Sequence, residues 1–124
     1  MPHAIGADPR PRTRRSPDGR WRVAGLRCRA CAEVAAYTWP VCPRCRGPVE
    51  PADFGPTGTV WSSTVVRIPV PGRTPPYALA YVDLDDGPRV LAHVVDAAEP
   101  ATIGGRVRLT APTADGDPRV EALA

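Results

Sequence analysis

All four cysteines of this 124-residue chain lie between Cys28 and Cys45, as two Cys-x-x-Cys pairs separated by ten residues. A two-residue spacing lets both thiolates of one tight turn reach the same ion at about 2.3 Å, and two such turns supply the four ligands of tetrahedral zinc. Four protein ligands leave no coordination position for a substrate, so such a site is structural. The pattern predicts a structural Zn²⁺ cofactor held by Cys28, Cys31, Cys42 and Cys45.

Three other uses of these thiols stay open at this point. A thioredoxin-like redox pair needs one Cys-x-x-Cys ahead of a helix, whereas Pro40 and Pro43 disfavour a helix here. An iron centre would use the same four sulfurs at the same spacing. Two disulfides would need an oxidising compartment, but residues 1–20 lack the apolar segment of a secretory signal. We therefore favour zinc and expect a cytoplasmic protein.

The chain divides into three segments of different composition. Residues 1–20 combine proline, arginine and small residues without apolar periodicity, which predicts a disordered or loosely docked arm. Residues 21–50 contain the cysteine unit, whose interior, AEVAAYTWPV, favours a short hairpin. Gly47, just after the second cysteine pair, is expected to supply the positive φ that such turns need. Residues 51–124 form the third segment, which begins within the turn-rich sequence EPADFGPTG.

From Gly58 onward, short β-rich runs alternate with turn signals. Five runs have the composition of strands: TVWSSTVVRIPV, YALAYVDLDDGP, RVLAHVVD, ATIGGRVRLTA and DGDPRVEAL. Asp86-Gly87 joins the second and third runs as a hairpin, and Gly104-Gly105 predicts a bulge or a close bend. Five short strands without a helix of ordinary length predict a small closed barrel. The fold class is therefore mainly β, a metal-closed ribbon followed by a barrel.

Charge is distributed unevenly along the chain. Residues 1–29 contain eight arginines against Asp8 and Asp18, a formal net charge of +6, whereas the remainder has a net charge of −3. A basic arm is able to bind nucleic acid, phosphate groups or an acidic partner, but a solvated tail is the simpler interpretation. The chain contains no run of about 18 apolar residues, so we predict no membrane span.

The sequence offers no catalytic constellation. His93 lies within a β-rich run with no recognisable nucleophile beside it, so we interpret it as a strand residue at the barrel surface or at a partner contact. Asp83, Asp85 and Asp86 lie where a strand runs into an Asp-Gly turn, and we interpret them as turn-capping residues instead of Mg²⁺ ligands. We therefore predict that the chain is not an enzyme, and we assign no catalytic and no cofactor-binding residue.

Several further stretches follow the cysteine ribbon in a fixed order. They are Gly58-Thr59-Val60-Trp61-Ser62, Thr64-Val65-Val66, Pro76-Tyr77, the run from Val82 to Val90, and Ile103-Gly104 with Val107. With this order, residues 21–111 resemble the small proteins in which a rubredoxin-like zinc ribbon precedes an OB-fold, found beside thiolase-type and other acyl-CoA enzymes. Ser63 stands where that family commonly has an aromatic residue.

The resemblance implies an accessory role. Members of this family look like non-catalytic subunits that bind and stabilise a thiolase, a thiolase-like aldolase, an acyltransferase or an acyl-CoA hydratase, and help to shape a path for CoA-linked substrate. On this basis the third segment is a five-stranded OB-fold barrel, and the partner is such an acyl-CoA-metabolising subunit, with contact to CoA itself left open. The arginines available for CoA phosphates or acidic partner residues are Arg67, Arg73, Arg106 and Arg108.

An alternative function follows from the barrel. OB-folds also bind single-stranded nucleic acid by stacking bases on aromatic side chains in a basic groove. Trp61 and Tyr81 could stack bases, but the barrel segment is net acidic and contains no lysine. Nucleic-acid binding therefore stays as the alternative to the accessory subunit.

Overall fold

The computed structural model describes residues 10–123, so His3 and the rest of residues 1–9 lie outside the described part of the chain. This part contains strands and no helix, which confirms the mainly β fold class. The strands are β1 (Arg12–Arg15), β2 (Trp21–Cys28), β3 (Val34–Ala35), β4 (Val49–Phe54), β5 (Thr57–Val66), β6 (Tyr77–Leu84), β7 (Arg89–Val94), β8 (Arg106–Leu109) and β9 (Arg119–Ala122).

Strand β2 is the centre of the first sheet, here called the ribbon sheet. It pairs antiparallel with β4 along one edge, and with β1 and then β3 along the other. The hairpin expected within residues 32–41 is not formed by that segment alone, because its two-residue strand β3 pairs with β2. The rest of the segment contains no strand. It leads the chain back, so that Cys42 and Cys45 lie beside Cys28 and Cys31.

Strand β1 differs from the loosely docked arm expected for residues 1–20. All four of its residues pair in register with β2. In the turn between these strands, Asp18 accepts a hydrogen bond from the N–H of Arg20 at 3.0 Å and forms an ion pair with Arg22 at 3.0 Å. An edge strand is held by backbone hydrogen bonds to its neighbour and does not need apolar side chains. Hydrophobic periodicity therefore did not predict β1.

Strand β4 extends the ribbon sheet past the boundary expected between residues 50 and 51. Residues 51–54 continue the pairing with β2, up to the partners Val23 and Phe54. The two sheets therefore divide between β4 and β5, and most of the expected linker is a strand.

The second sheet is a closed barrel in the order β5-β6-β7-β9-β8, which confirms the five strands predicted. Neighbouring strands are antiparallel except for the parallel pair β7 and β9. In β6, side chains alternate between the interior and the outer face. Strand β5 has a register shift between Val60 and Ser62. The close bend expected at Gly104 is present, with φ +82° and an N–H that donates to the Val60 carbonyl at 2.8 Å.

The ribbon sheet and the barrel share one hydrophobic core. Val23 and Phe54 from the ribbon sheet are fully buried in the same cluster as the inward residues of the barrel. The Phe54 ring lies against Gly87, where a Cβ atom would come within 2.3 Å of it. Only glycine fits there. The tight turn between β6 and β7 therefore also packs against the Phe54 ring of the ribbon sheet.

Phe54→Ala is expected to lower the free energy of unfolding by about 3–5 kcal/mol, because it leaves a cavity at the junction of both sheets. Urea denaturation measures this loss. Ile68→Ala provides the control, since Ile68 is 70% exposed and its truncation should cost about 0.5 kcal/mol or less. Equal losses for the two variants would contradict the shared core.

Two carboxylates of the acidic cluster at the end of β6 bond to groups far away in the sequence, which differs from simple turn capping. Asp85 forms an ion pair with Arg106 of β8 at 2.6 Å and accepts the Thr57 hydroxyl at 2.6 Å. Asp86 accepts the N–H of Gly55 at 2.8 Å, and Asp83 pairs with Arg89. These carboxylates therefore connect the end of β6 to β5, β7 and β8 and to the segment that joins the two sheets.

The ion pair at Asp85 predicts a pH-dependent stability. The hydrogen bond from Arg106, and then that from Thr57, lower the pKa of Asp85 to about 2, below its value of about 3.9 in unfolded chains. The carboxylate therefore stabilises the fold above about pH 4, and this contribution is lost as the pH falls toward 2. The difference in unfolding free energy between wild type and Asp85→Asn should be smaller at pH 3 than at pH 6. A difference independent of pH would be inconsistent with this role.

Candidate metal centre and exposed barrel face

The structure brings all four predicted cysteines together at the end of the ribbon sheet. Their sulfur atoms all lie within 4.8 Å of one another. The Cys28 and Cys45 sulfurs are 3.5 Å apart, and those of Cys31 and Cys42 are 3.7 Å apart. One cysteine of each pair, Cys28 and Cys42, is buried and the other is exposed. Within residues 10–123, this is the only such group of Cys, His, Asp or Glu ligand atoms.

Backbone N–H groups surround the sulfurs in a repeated pattern. The first cysteine of each pair, Cys28 or Cys42, accepts two N–H bonds at 3.3–3.4 Å from its own turn. The Cys45 sulfur accepts a further bond from Gly47 at 3.3 Å. Such donors favour the charged thiolate, so the pKa of the first cysteine of each pair, Cys28 or Cys42, is lowered.

Positive φ occurs at Ala32 (66°) and Arg46 (65°), immediately after each cysteine pair, and not at Gly47 as expected. Gly47 instead lies where the packing is tight. A Cβ atom there would lie 3.1 Å from both the Ala30 Cβ and the Cys45 sulfur. The glycine therefore provides close approach between the two turns.

The pKa values of the cysteines diverge. The N–H of Cys31, and then that of Ala30, lower the pKa of Cys28 to about 6 despite desolvation. At Cys31 the N–H of Glu33 favours the thiolate, but desolvation and the three neighbouring sulfurs outweigh it and raise the pKa to about 12. Four thiolates in contact repel one another, and a divalent cation among them removes that repulsion.

The donor set fits a tetrahedral metal ion. A tetrahedron with metal–sulfur distances of about 2.3 Å has sulfurs separated by about 3.8 Å, close to the separations of 3.5 Å for Cys28–Cys45 and 3.7 Å for Cys31–Cys42. The same separations exceed the roughly 2.05 Å of a disulfide bond. No coordination position is left open, so the group would supply a structural crosslink.

His93 belongs to a polar cluster outside the metal centre. The Arg73 guanidinium donates to its Nε2 at 2.6 Å, which requires an unprotonated nitrogen there. Burial, and then the charge of Arg73, lower the pKa of His93. Arg73 also pairs with Asp117 at 2.7 Å, and the Tyr77 ring lies 5.7 Å from that of His93. Sequence reasoning missed this cluster, since Arg73 and Asp117 are 44 residues apart and no local pattern links them.

The outer surface of β5, β6 and β7 exposes large apolar side chains. We call the patch formed by Trp61, Tyr81 and Leu91 the barrel face; these side chains are 52%, 44% and 41% exposed. Tyr81 and Leu91 are cross-strand partners, and the Trp61 and Tyr81 rings meet edge to face at 6.3 Å. Arg89 stacks on Trp61 at 3.8 Å. Adjacent exposed aromatic side chains of this kind are typical of protein interfaces.

The arginines considered for CoA phosphates are mostly neutralised. Arg73, Arg106 and Arg108 form ion pairs with carboxylates at 2.6–2.7 Å. Arg67 forms no ion pair within the described range and is the remaining cation of this set.

Among residues 10–123, no helix is long and apolar enough to span a membrane. A family model described as the C-terminal OB-fold domain of ChsH2 matches residues 52–111. This match covers β5 to β8 and supports the OB-fold that the resemblance implied.

Curated relatives cover part of the chain. A DUF35 domain-containing scaffold protein of Methanothermobacter thermautotrophicus is 33% identical over 89 residues, which cover 68% of this chain and 67% of the relative. A scaffold protein of the same description from Methanocaldococcus jannaschii is 29% identical over 81 residues, 62% of this chain and 57% of the relative.

The matches to solved structures cover more of this chain. The structure named Ltp2-ChsH2(DUF35) aldolase matches with a TM-score of 0.69 and 30% identity, over 82% of this chain and 84% of that one. A DUF35-family protein of unknown function from Sulfolobus solfataricus has the same fold, with a TM-score of 0.61 and 15% identity over 82% of this chain and 76% of that one.

Proposed function

The chain belongs to the DUF35 family of OB-fold proteins, and we propose that it is a non-catalytic, zinc-binding accessory subunit of a thiolase-superfamily acyl-CoA enzyme. In this role it binds and stabilises a thiolase, aldolase or acyltransferase subunit and helps to shape the path of the CoA-linked substrate. The observation that carries the proposal is the similarity, at 30% identity over most of both chains, to Ltp2-ChsH2(DUF35) aldolase, whose name pairs a DUF35 component with Ltp2.

A scaffolding role without catalysis fits the polar groups of the barrel. His93 is engaged by Arg73, and Asp83 and Asp85 are engaged by arginines. The curated relatives in two archaea carry the description scaffold protein. The group best suited to ligand chemistry is therefore the cysteine cluster, whose closed donor set suits a structural metal.

Elemental analysis of the purified protein tests the metal. We expect one zinc per chain, and Cys42→Ser should lose most of it, because a closed site needs all four sulfurs. Arg44→Ser, a non-ligand change within the same turn, should keep the metal. One iron per chain would reassign the ion, whereas no transition metal and rapid alkylation of all four native thiols would reject the site.

We assign the contact with the enzyme subunit to the barrel face. Trp61, Tyr81 and Leu91 are large, adjacent and exposed. Burying such side chains against a partner removes apolar surface from water, and aromatic side chains dominate the energy of many interfaces.

Co-expression with the thiolase-superfamily protein encoded nearest to this gene tests the partner. A tag on the present chain should recover both proteins in a stable complex. Trp61→Ala with Tyr81→Ala should reduce that recovery, while Ile68→Ala with Ile103→Ala, which trims two exposed side chains outside the barrel face, should leave it unchanged. Clean recovery of two separate, monodisperse proteins would argue against the proposal.

Single-stranded nucleic acid remains the alternative ligand for the same aromatic side chains. Arg89 covers one side of the Trp61 ring and is itself paired with Asp83. This leaves less ring surface and less free positive charge than base stacking in a basic groove requires. Salt-dependent retention of an oligonucleotide, lost in Trp61→Ala, would favour this alternative.

A further inference from the structure

The outer end of the ribbon presents a second exposed surface, separate from the barrel face. We call it the ribbon tip; it consists of Trp39, Val41, Pro43, Arg44 and Arg46, which together with Cys42 line a surface hollow of about 330 Å³. Trp39 is 39% exposed and Val41 37% exposed, although both side chains are large and apolar. The tip therefore brings two large apolar side chains and two cationic side chains together around one hollow.

The charge of the ribbon tip is not balanced by the chain itself. Several arginines of the described residues form ion pairs with carboxylates. The pairs are Arg14–Asp53, Arg22–Asp18, Arg29–Glu50, Arg73–Asp117, Arg89–Asp83, Arg106–Asp85 and Arg108–Glu121. Arg44 and Arg46 form no ion pair within residues 10–123. Both lie beside an exposed tryptophan, so this part of the surface is suited to carboxylates from another molecule.

The backbone that carries these arginines is held in place. The N–H of Arg46 donates to the Cys42 carbonyl at 2.9 Å, and the N–H of Arg44 donates to the Cys42 sulfur at 3.3 Å. Cationic groups on a fixed turn lose less conformational freedom on binding than groups on a mobile loop. The turn that gathers the sulfurs therefore also presents a preorganised cationic surface.

We propose that the ribbon tip docks an acidic segment of the thiolase-superfamily partner, an assignment that rests on the function proposed above. An apolar side chain of that segment enters the hollow against Trp39 and Val41, while flanking carboxylates pair with Arg44 and Arg46. Guanidinium groups bind carboxylates with two parallel hydrogen bonds, and complementary charge steers the encounter and fixes the register of the docked surfaces.

A protein partner suits this surface better than nucleic acid does. Single strands are bound along grooves with successive aromatic side chains and a continuous basic track. The ribbon tip has one aromatic side chain, Trp39, and two unpaired arginines around a single hollow. One apolar anchor flanked by two charges matches a short protein segment.

Titration of the purified subunits at several salt concentrations tests the assignment. Arg44→Glu with Arg46→Glu should weaken the complex about tenfold or more at low salt and flatten the dependence of Kd on salt. Trp39→Ala should weaken binding and leave the salt dependence unchanged. The matched control is Arg15→Glu with Arg20→Glu, which makes the same change in net charge at exposed arginines elsewhere and should alter Kd less than about threefold.

Zinc content, measured for each variant, verifies that the ribbon is intact. If the charge reversal disturbs the ribbon, Arg44→Gln with Arg46→Gln repeats the test with half the change in charge. Equal losses in the two reversal pairs, or none in either, would overturn the assignment. Failure of the wild-type chain to bind would reject the proposed function and this assignment with it. A twenty-nucleotide oligothymidine provides the last outcome. If the wild-type chain binds it and only Arg44→Glu with Arg46→Glu abolishes that binding, the surface is reassigned to nucleic acid.

Discussion

The convergence of four sulfur atoms on one point is the constraint on which the ribbon depends. The two cysteine turns pack closely at Gly47, where a Cβ atom would be only 3.1 Å from the Ala30 Cβ of the other turn. The pattern of N–H donors lowers the pKa of the buried Cys28, while crowding raises that of Cys31. A cation bound among the sulfurs would remove this repulsion and crosslink the two turns, which is what a small unit without its own core requires.

The ribbon then becomes part of the barrel through shared packing. Val23 and Phe54 enter the same core as the barrel residues, and the Phe54 ring occupies the space that Gly87 leaves free. The ribbon sheet thus packs against the barrel through apolar contacts at one end. Its other end carries the cysteine turns. This arrangement fixes the position of the cysteine turns relative to the rest of the chain.

The distribution of charge separates surfaces that stabilise the fold from surfaces available to a partner. On the barrel, arginines such as Arg106 are neutralised by carboxylates from other strands. At the ribbon tip, Arg44 and Arg46 have no such partner within the described residues and lie beside the exposed Trp39. The barrel face has the opposite character, since its apolar rings are exposed while its one stacking arginine, Arg89, is paired. In the proposed role, one apolar and one cationic surface would give the chain two chemically different means of holding an enzyme subunit in register.

The sequence by itself determined the features that depend on short spacings. Two-residue spacing placed Cys28 beside Cys31 and Cys42 beside Cys45, and alternating side chains with turn residues defined the five barrel strands. Only the tertiary structure decided the pairing of β1 with β2, the sheet boundary after Phe54 and the cluster of Arg73, His93 and Asp117. These features join residues far apart in the chain through backbone ladders, shape and charge, and such contacts leave no periodic trace in the sequence. Whether an apolar residue such as Trp61 faces solvent or the core is likewise settled only when its neighbours are in place.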